Sequence, residues 1–105
     1  DSFVAAVLSN TRLHVTDPSN ACVTGLCSLD VASWSSRLCE LLRVDIETLP
    51  QIVDSSGVIG EASALPGAPP IAALIGDQQS SLVGQACISS GATKITFGTG
   101  AMLNV

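Results

Sequence analysis

Basic residues are scarce in this chain. Arg12, Arg37, Arg43 and Lys94 are its four cations, set against nine acids, and the formal charge is −5 over 105 residues. The four are scattered and form no basic stripe, which argues against nucleic-acid binding, since neutralising phosphates takes clustered Lys and Arg. Long apolar runs are missing too: none approaches the roughly 20 residues of a membrane-spanning helix, and no charged segment leads into an apolar one at the start. The expectation is a soluble, cytoplasmic protein. Paired C-x2-C spacing is absent among Cys22, Cys27, Cys39 and Cys87, and His14 is the one histidine, so a zinc site is not indicated and no metal ligands are assigned. A Cys22–Cys27 disulfide stays open, although free, buried thiols are favoured because nothing marks the chain as secreted. There is no internal repeat and no low-complexity tract.

Charge as a whole is thin. Asp, Glu, Lys and Arg make up 12% of the chain, whereas 47% is hydrophobic, with a mean hydropathy of +0.50. A domain of this size has a large surface to cover relative to its core, so a chain this apolar is expected to be a segment of a larger protein that shields part of it. The opening at Asp1-Ser2-Phe3-Val4, without Met, fits that expectation.

Several elements follow from the pattern. Apolar residues at 3, 4, 7 and 8 predict the end of a buried helix over residues 2 to 9. Asp17-Pro18 reads as an N-cap followed by proline at the first helical position, where a missing N–H costs nothing. Residues 22 to 27 read as a short strand, and residues 29 to 44 as a helix with Trp34, Leu38, Leu41 and Leu42 on its apolar face. Asp30, Ser33 or Ser35 would cap it. A helical turn capped by Asp45 and stopped at Pro50 comes next, then a short strand around Gly57 and Gly60. The segment "ALPGAPP", residues 64 to 70, cannot sustain a helix or a central strand, and it sets the expected boundary between domains at 1–65 and 66–105. Beyond it the pattern reads strand (71 to 75), turn (Gly76-Asp77), helix (79 to 89) stopped at Gly91, strand (93 to 97), turn (98 to 100) and strand (101 to 105).

Two places can carry chemistry. Asp77 follows an apolar strand, the position at which open α/β sheets gather ligand groups. It would reach a substrate hydroxyl, with Gln78 or Gln79 supplying an amide that both donates and accepts. An Asp before a helix is also a common cap, and the residues alone leave both readings open. In "FGTG", Gly98 and Gly100 free a turn to present backbone N–H groups and Thr99 adds a hydroxyl, as a phosphate-binding turn requires; a plain hairpin turn has the same composition. A hydroxyl-binding acid and a phosphate-binding turn, with one helix between them, together describe a kinase-like site. Trp34, His14 and Asp17 carry structural readings: core, turn and cap.

The segments "HVTDPSNA", "LPQIVDSSGVIGEAS" and "IAALIGDQQSSLVGQACISSGATKITFGTGAMLNV" resemble, in order and spacing, the middle of the glycerol kinases of the FGGY carbohydrate-kinase family. Phe97 stands where Tyr is frequent, and Ser80-Ser81 where two alanines are frequent. The resemblance implies an α/β fold, a fragment of the actin-like, ribonuclease H-like ATPase fold spanning the junction of its two domains. It implies ATP-dependent phosphorylation of glycerol, with Asp77 contacting the hydroxyl as catalytic base, Gln78 hydrogen-bonding the polyol, and Gly98 and Thr99 facing the nucleotide phosphates. ATP and Mg2+ are the implied cofactors, most of whose binding groups would lie outside this chain, so the chain alone is expected to be inactive. A homo-oligomeric parent enzyme is left open. The alternatives are a kinase for another polyol or sugar, or a catalytically dead paralogue that binds or regulates.

Overall fold

The computed structural model describes residues 1–31 and 33–105 and divides into two compact units, Asp1–Ile75 and Gly76–Val105. In the first, helix α1 (Ser2–Leu8) ends where the Ser9 hydroxyl donates to the Ala6 carbonyl at 3.2 Å and accepts from the Leu13 N–H at 3.0 Å. Of its apolar residues Ala5 is buried, whereas Phe3, Val4 and Val7 are exposed. The helix stands where the pattern put it, but the face predicted to be buried is uncovered within this chain.

Strand β1 (Val15–Thr16) pairs in parallel with β2 (Gln51–Ile52), Val15 opposite Gln51, and both β1 residues are buried. The exposed His14 contributes its carbonyl to this junction, accepting from the Gln51 N–H at 3.0 Å.

Asp17 follows β1 and is fully buried. It caps helix α2 (Pro18–Ala21), as the Asp-Pro pair predicts, and does more than cap. Oδ1 accepts from the Asn20 N–H at 3.1 Å and Asn20 Nδ2 at 2.6 Å; Oδ2 accepts from the Ser19 N–H at 3.1 Å, Ser19 Oγ at 2.7 Å and Ser55 Oγ at 2.6 Å. Burial pushes this carboxyl up, but the donors from Ser19, Ser55 and Asn20 together outweigh it and hold the pKa below its ordinary value of 3.8. With the folded-state value depressed, the unfolded chain binds more protons through this range, so stability rises with pH across it. The Asp17 contribution is complete above the unfolded value of 3.8 and is lost as pH falls through the lower folded value. Urea unfolding of the complete protein should show midpoints falling below about pH 4, with a smaller fall in Asp17→Asn; equal falls would remove Asp17 as the cause.

Three readings of this stretch change. Residues 22 to 27 are not a strand: Cys22–Thr24 form a 3-10 turn ended by Gly25 at φ 72°, and only Cys27 makes a bridge, to Trp34. The predicted 29–44 helix shrinks to α3 (Ser36–Leu42), capped by Ser35, whose hydroxyl accepts from the Leu38 N–H at 3.3 Å; Ala32, inside the predicted span, lies outside the described residues. Trp34 therefore precedes the helix instead of lying on its face, and its half-buried indole N–H donates to the Pro50 carbonyl at 2.7 Å. That bond ties the chain before α3 to the end of the Asp45-capped 3-10 turn, Ile46–Thr48. The four thiols are free, but Cys39 alone is buried.

Strand β3 (Ser56–Glu61) pairs antiparallel with β4 (Pro70–Ala73), and the ladder is irregular between Ser56 and Gly60. Gly57 supplies the φ of 124° that the irregularity needs. At Gly60 a Cβ would stand 2.9 Å from Leu13 Cδ1, so the Leu13 side chain would have to shift to admit one. The proline-rich segment forms the β3–β4 connection. In the second unit, α4 (Asp77–Gly84) precedes a hairpin of β5 (Lys94–Phe97) and β6 (Ala101–Asn104), with Lys94 opposite Asn104 and Phe97 opposite Ala101. Helix α4 starts earlier and ends well before the predicted Ser89: Ala86 takes a left-handed φ of 56°, closing the helix with Gly91 still ahead.

Candidate active site

The second unit contains every residue to which the sequence assigned chemistry. Strand β4 stops at Ala73, and its ladder partner is the antiparallel β3, so Asp77 does not follow a strand of a parallel sheet. Gly76 is the N-cap of α4, with φ −64° and ψ 151°, and Asp77 is the first helical residue. The cap reading of Asp77 is thereby removed. Its carboxylate is exposed and has no hydrogen-bond partner among the described residues. An acid in the first turn is favoured by the helix dipole, and this one stays available to an external hydroxyl.

Gln78 is half-buried against β5. Its Oε1 accepts from Lys94 Nζ and from Thr96 Oγ1, both at 3.3 Å, and Lys94 Nζ also reaches the Gln78 main-chain carbonyl at 3.4 Å. Lys94 is 8% exposed, while Ile95 and Phe97 on the opposite face of β5 are exposed. The usual alternation is inverted, with the polar side of the strand turned inward toward α4. A concavity of about 390 Å³ opens beside this face, lined by Ser81, Gln85 and Thr93 among others, with Lys94 and Thr96. The sequence reading missed Lys94. Its signal was the K-x-T spacing in a strand, which places Lys94 and Thr96 on one face.

The turn between β5 and β6 is Gly98-Thr99-Gly100. The Gly98 N–H donates to the Gly100 carbonyl at 2.9 Å, inside the turn. It is therefore not among the outward donors that the sequence suggested. Thr99 is exposed, and its hydroxyl has no partner among the described residues. Neither glycine takes a left-handed φ, and a Cβ at either would meet nothing within 4 Å. The chain's own folding thus gives no reason for glycine at 98 or 100. Among the described residues no three His, Cys, Asp or Glu side chains gather as a metal cluster. No helix there is long and apolar enough to cross a membrane.

No protein-family model matches the chain. Curated relatives do. It is 44% identical over 105 residues to a glycerol kinase of Alkalilimnicola ehrlichii, covering 98% of this chain and 21% of the relative. It is 40% identical over 106 residues to a glycerol kinase of Mycoplasma genitalium, covering 95% of this chain and 21% of the relative. Among solved structures, the crystal structure of Plasmodium falciparum glycerol kinase with ADP superposes with a TM-score of 0.87 at 30% identity, covering 97% of this chain and 21% of that one. The fold is a fragment of the actin-like ATPase fold, of the α/β class. Over 95–98% of its length the chain is similar to these glycerol kinases, and it spans 21% of their length.

Proposed function

We propose that the complete protein transfers the γ-phosphoryl group of ATP to a terminal hydroxyl of glycerol, giving glycerol 3-phosphate and ADP. The observation that supports this most strongly is similarity to glycerol kinases over 98% of this chain, with the exposed, unpartnered Asp77 next in sequence to the Gln78 that β5 holds. In the proposed reaction the hydroxyl oxygen forms a bond to the γ-phosphorus as the bond to the ADP oxygen breaks, and Asp77 takes the hydroxyl proton. Gln78 hydrogen-bonds the polyol. Phosphoryl transfer asks the protein mainly for positioning and for donors aimed at the phosphates. Gly98 and Thr99 serve there: glycines unexplained by the chain's own packing suit a loop that phosphates approach closely, and Thr99 has a free hydroxyl.

The ADP in the solved relative supports nucleotide use. Among the described residues no three His, Cys, Asp or Glu side chains gather to hold Mg2+. The junction of the two actin-like domains is proposed to lie within this chain. The reaction is placed in the cytoplasm.

A polyol panel tests the substrate. The complete protein should release ADP with glycerol at a kcat/KM at least about tenfold above that with erythritol, xylitol or a hexose, the preference expected of a site whose polar groups match one polyol. A sugar preferred over glycerol would move the protein to another member of the kinase class, and no turnover with any acceptor would make it a binding module. The 105-residue chain by itself is expected to release no ADP.

A further inference from the structure

Lys94 is the one buried cation among the described residues, and its acceptors are neutral oxygens of a single residue, Gln78. Burying an ammonium against neutral acceptors costs folding free energy that an apolar side chain of equal length does not. Stability is therefore a poor account of its place. Its chemistry explains more: an ammonium donates and cannot accept, so the Gln78 atom facing it must be the carbonyl Oε1. Thr96 Oγ1 donates to the same atom from the same face of β5. With Oε1 held by two donors, Nε2 has no partner among the described residues and its hydrogens remain free. The nearby positive charge also polarises the amide and strengthens Nε2 as a donor.

We infer that Lys94 is a positioning residue which, with Thr96, locks the Gln78 amide so that Nε2 is presented as a donor to a polyol oxygen. The inference rests on the polyol reading of Gln78 and narrows it: Gln78 donates to the substrate and does not accept from it. Lys94 itself does not touch the substrate.

The test is steady-state kinetics of the complete enzyme, varying glycerol and ATP separately. Lys94→Met keeps the aliphatic stem and removes the donors; it should raise KM for glycerol about tenfold while KM for ATP and kcat stay within about threefold, the size expected for losing one charge-assisted hydrogen bond. Lys94→Arg should return KM to within about threefold of wild type. In a Gln78→Ala background, Lys94→Met should add less than about twofold, because the two residues act as one unit. The melting temperature of Lys94→Met should not fall by more than about 2 °C.

Independent, multiplying effects of Lys94→Met and Gln78→Ala would overturn the inference, as would a lower melting temperature with KM for glycerol unchanged. If Lys94→Met does not fold, Thr96→Val decides. It should raise KM for glycerol about threefold with Gln78 present and not in Gln78→Ala; no rise, or an equal rise in both, overturns the inference. Gln78→Ala leaving KM for glycerol unchanged would bring down the polyol reading and this inference with it. A rise in Gln78→Ala unmatched by either β5 variant would bring down the inference alone.

Discussion

Replacing Asp77 with Asn in the complete enzyme should lower kcat by about 10²–10⁴-fold, the range for losing a general base. That corresponds to about 3–5 kcal/mol of transition-state stabilisation. The carboxylate's surroundings set the expectation. Asp77 is exposed at the first residue of α4, Gly76 fills the capping position, and no donor in the described chain occupies its oxygens. A carboxylate with no structural bond to keep is free to accept the proton of a hydroxyl. Asn preserves shape and one acceptor oxygen but cannot take that proton, so KM for glycerol should move by less than about tenfold, and the loss should fall on kcat. If Asp77 served only as a favourable charge at a helix start, Asn would cost about 0.3–1 kcal/mol of stability and leave turnover alone. A fall in kcat of less than about threefold would return Asp77 to that minor role.

The second large effect is on folding. Asp17→Ala should destabilise the complete protein by about 3 kcal/mol, read as a drop in the denaturant midpoint at neutral pH, with catalytic constants of the surviving folded fraction near wild type. Five donors converge on this buried carboxylate, from Ser19, Asn20 and Ser55. Ala removes the carboxylate that these donors share, which adds desolvation of the groups left underpaired to the loss of the α2 cap. Asp17→Asn, which keeps an oxygen in place, should cost about half as much. A loss under about 0.5 kcal/mol for Asp17→Ala would show the network to be replaced by water.

The two residues show how far the sequence can be read. Asp17-Pro18 announced a cap, and a cap is there. Its bond from Ser55 spans 38 residues of chain, a relation no local pattern carries. Asp77 was ambiguous between cap and working acid, and the placement of Gly76 as the N-cap removed one of those roles. Positions 34, 38, 41 and 42 repeat with helical spacing, yet a bridge from Cys27 to Trp34 and the bond to Pro50 hold Trp34 outside the helix. Helix α4 is shorter than its sequence suggests, since Ala86 has the composition of a helix former and is left-handed here. For Lys94 the K-x-T spacing is legible, and it puts Lys94 and Thr96 on one face of a strand. Its burial follows from β5 turning its polar face inward, and a single strand read alone does not say which face that is.

Phosphoryl transfer itself is the most direct measurement of the central claim. The complete protein, incubated with ATP and glycerol, should yield glycerol 3-phosphate and ADP in equal amounts, and the Asp77→Asn variant should yield both at a rate lower by at least about 10²-fold. ADP without glycerol phosphate, or equal product from both proteins, would contradict it.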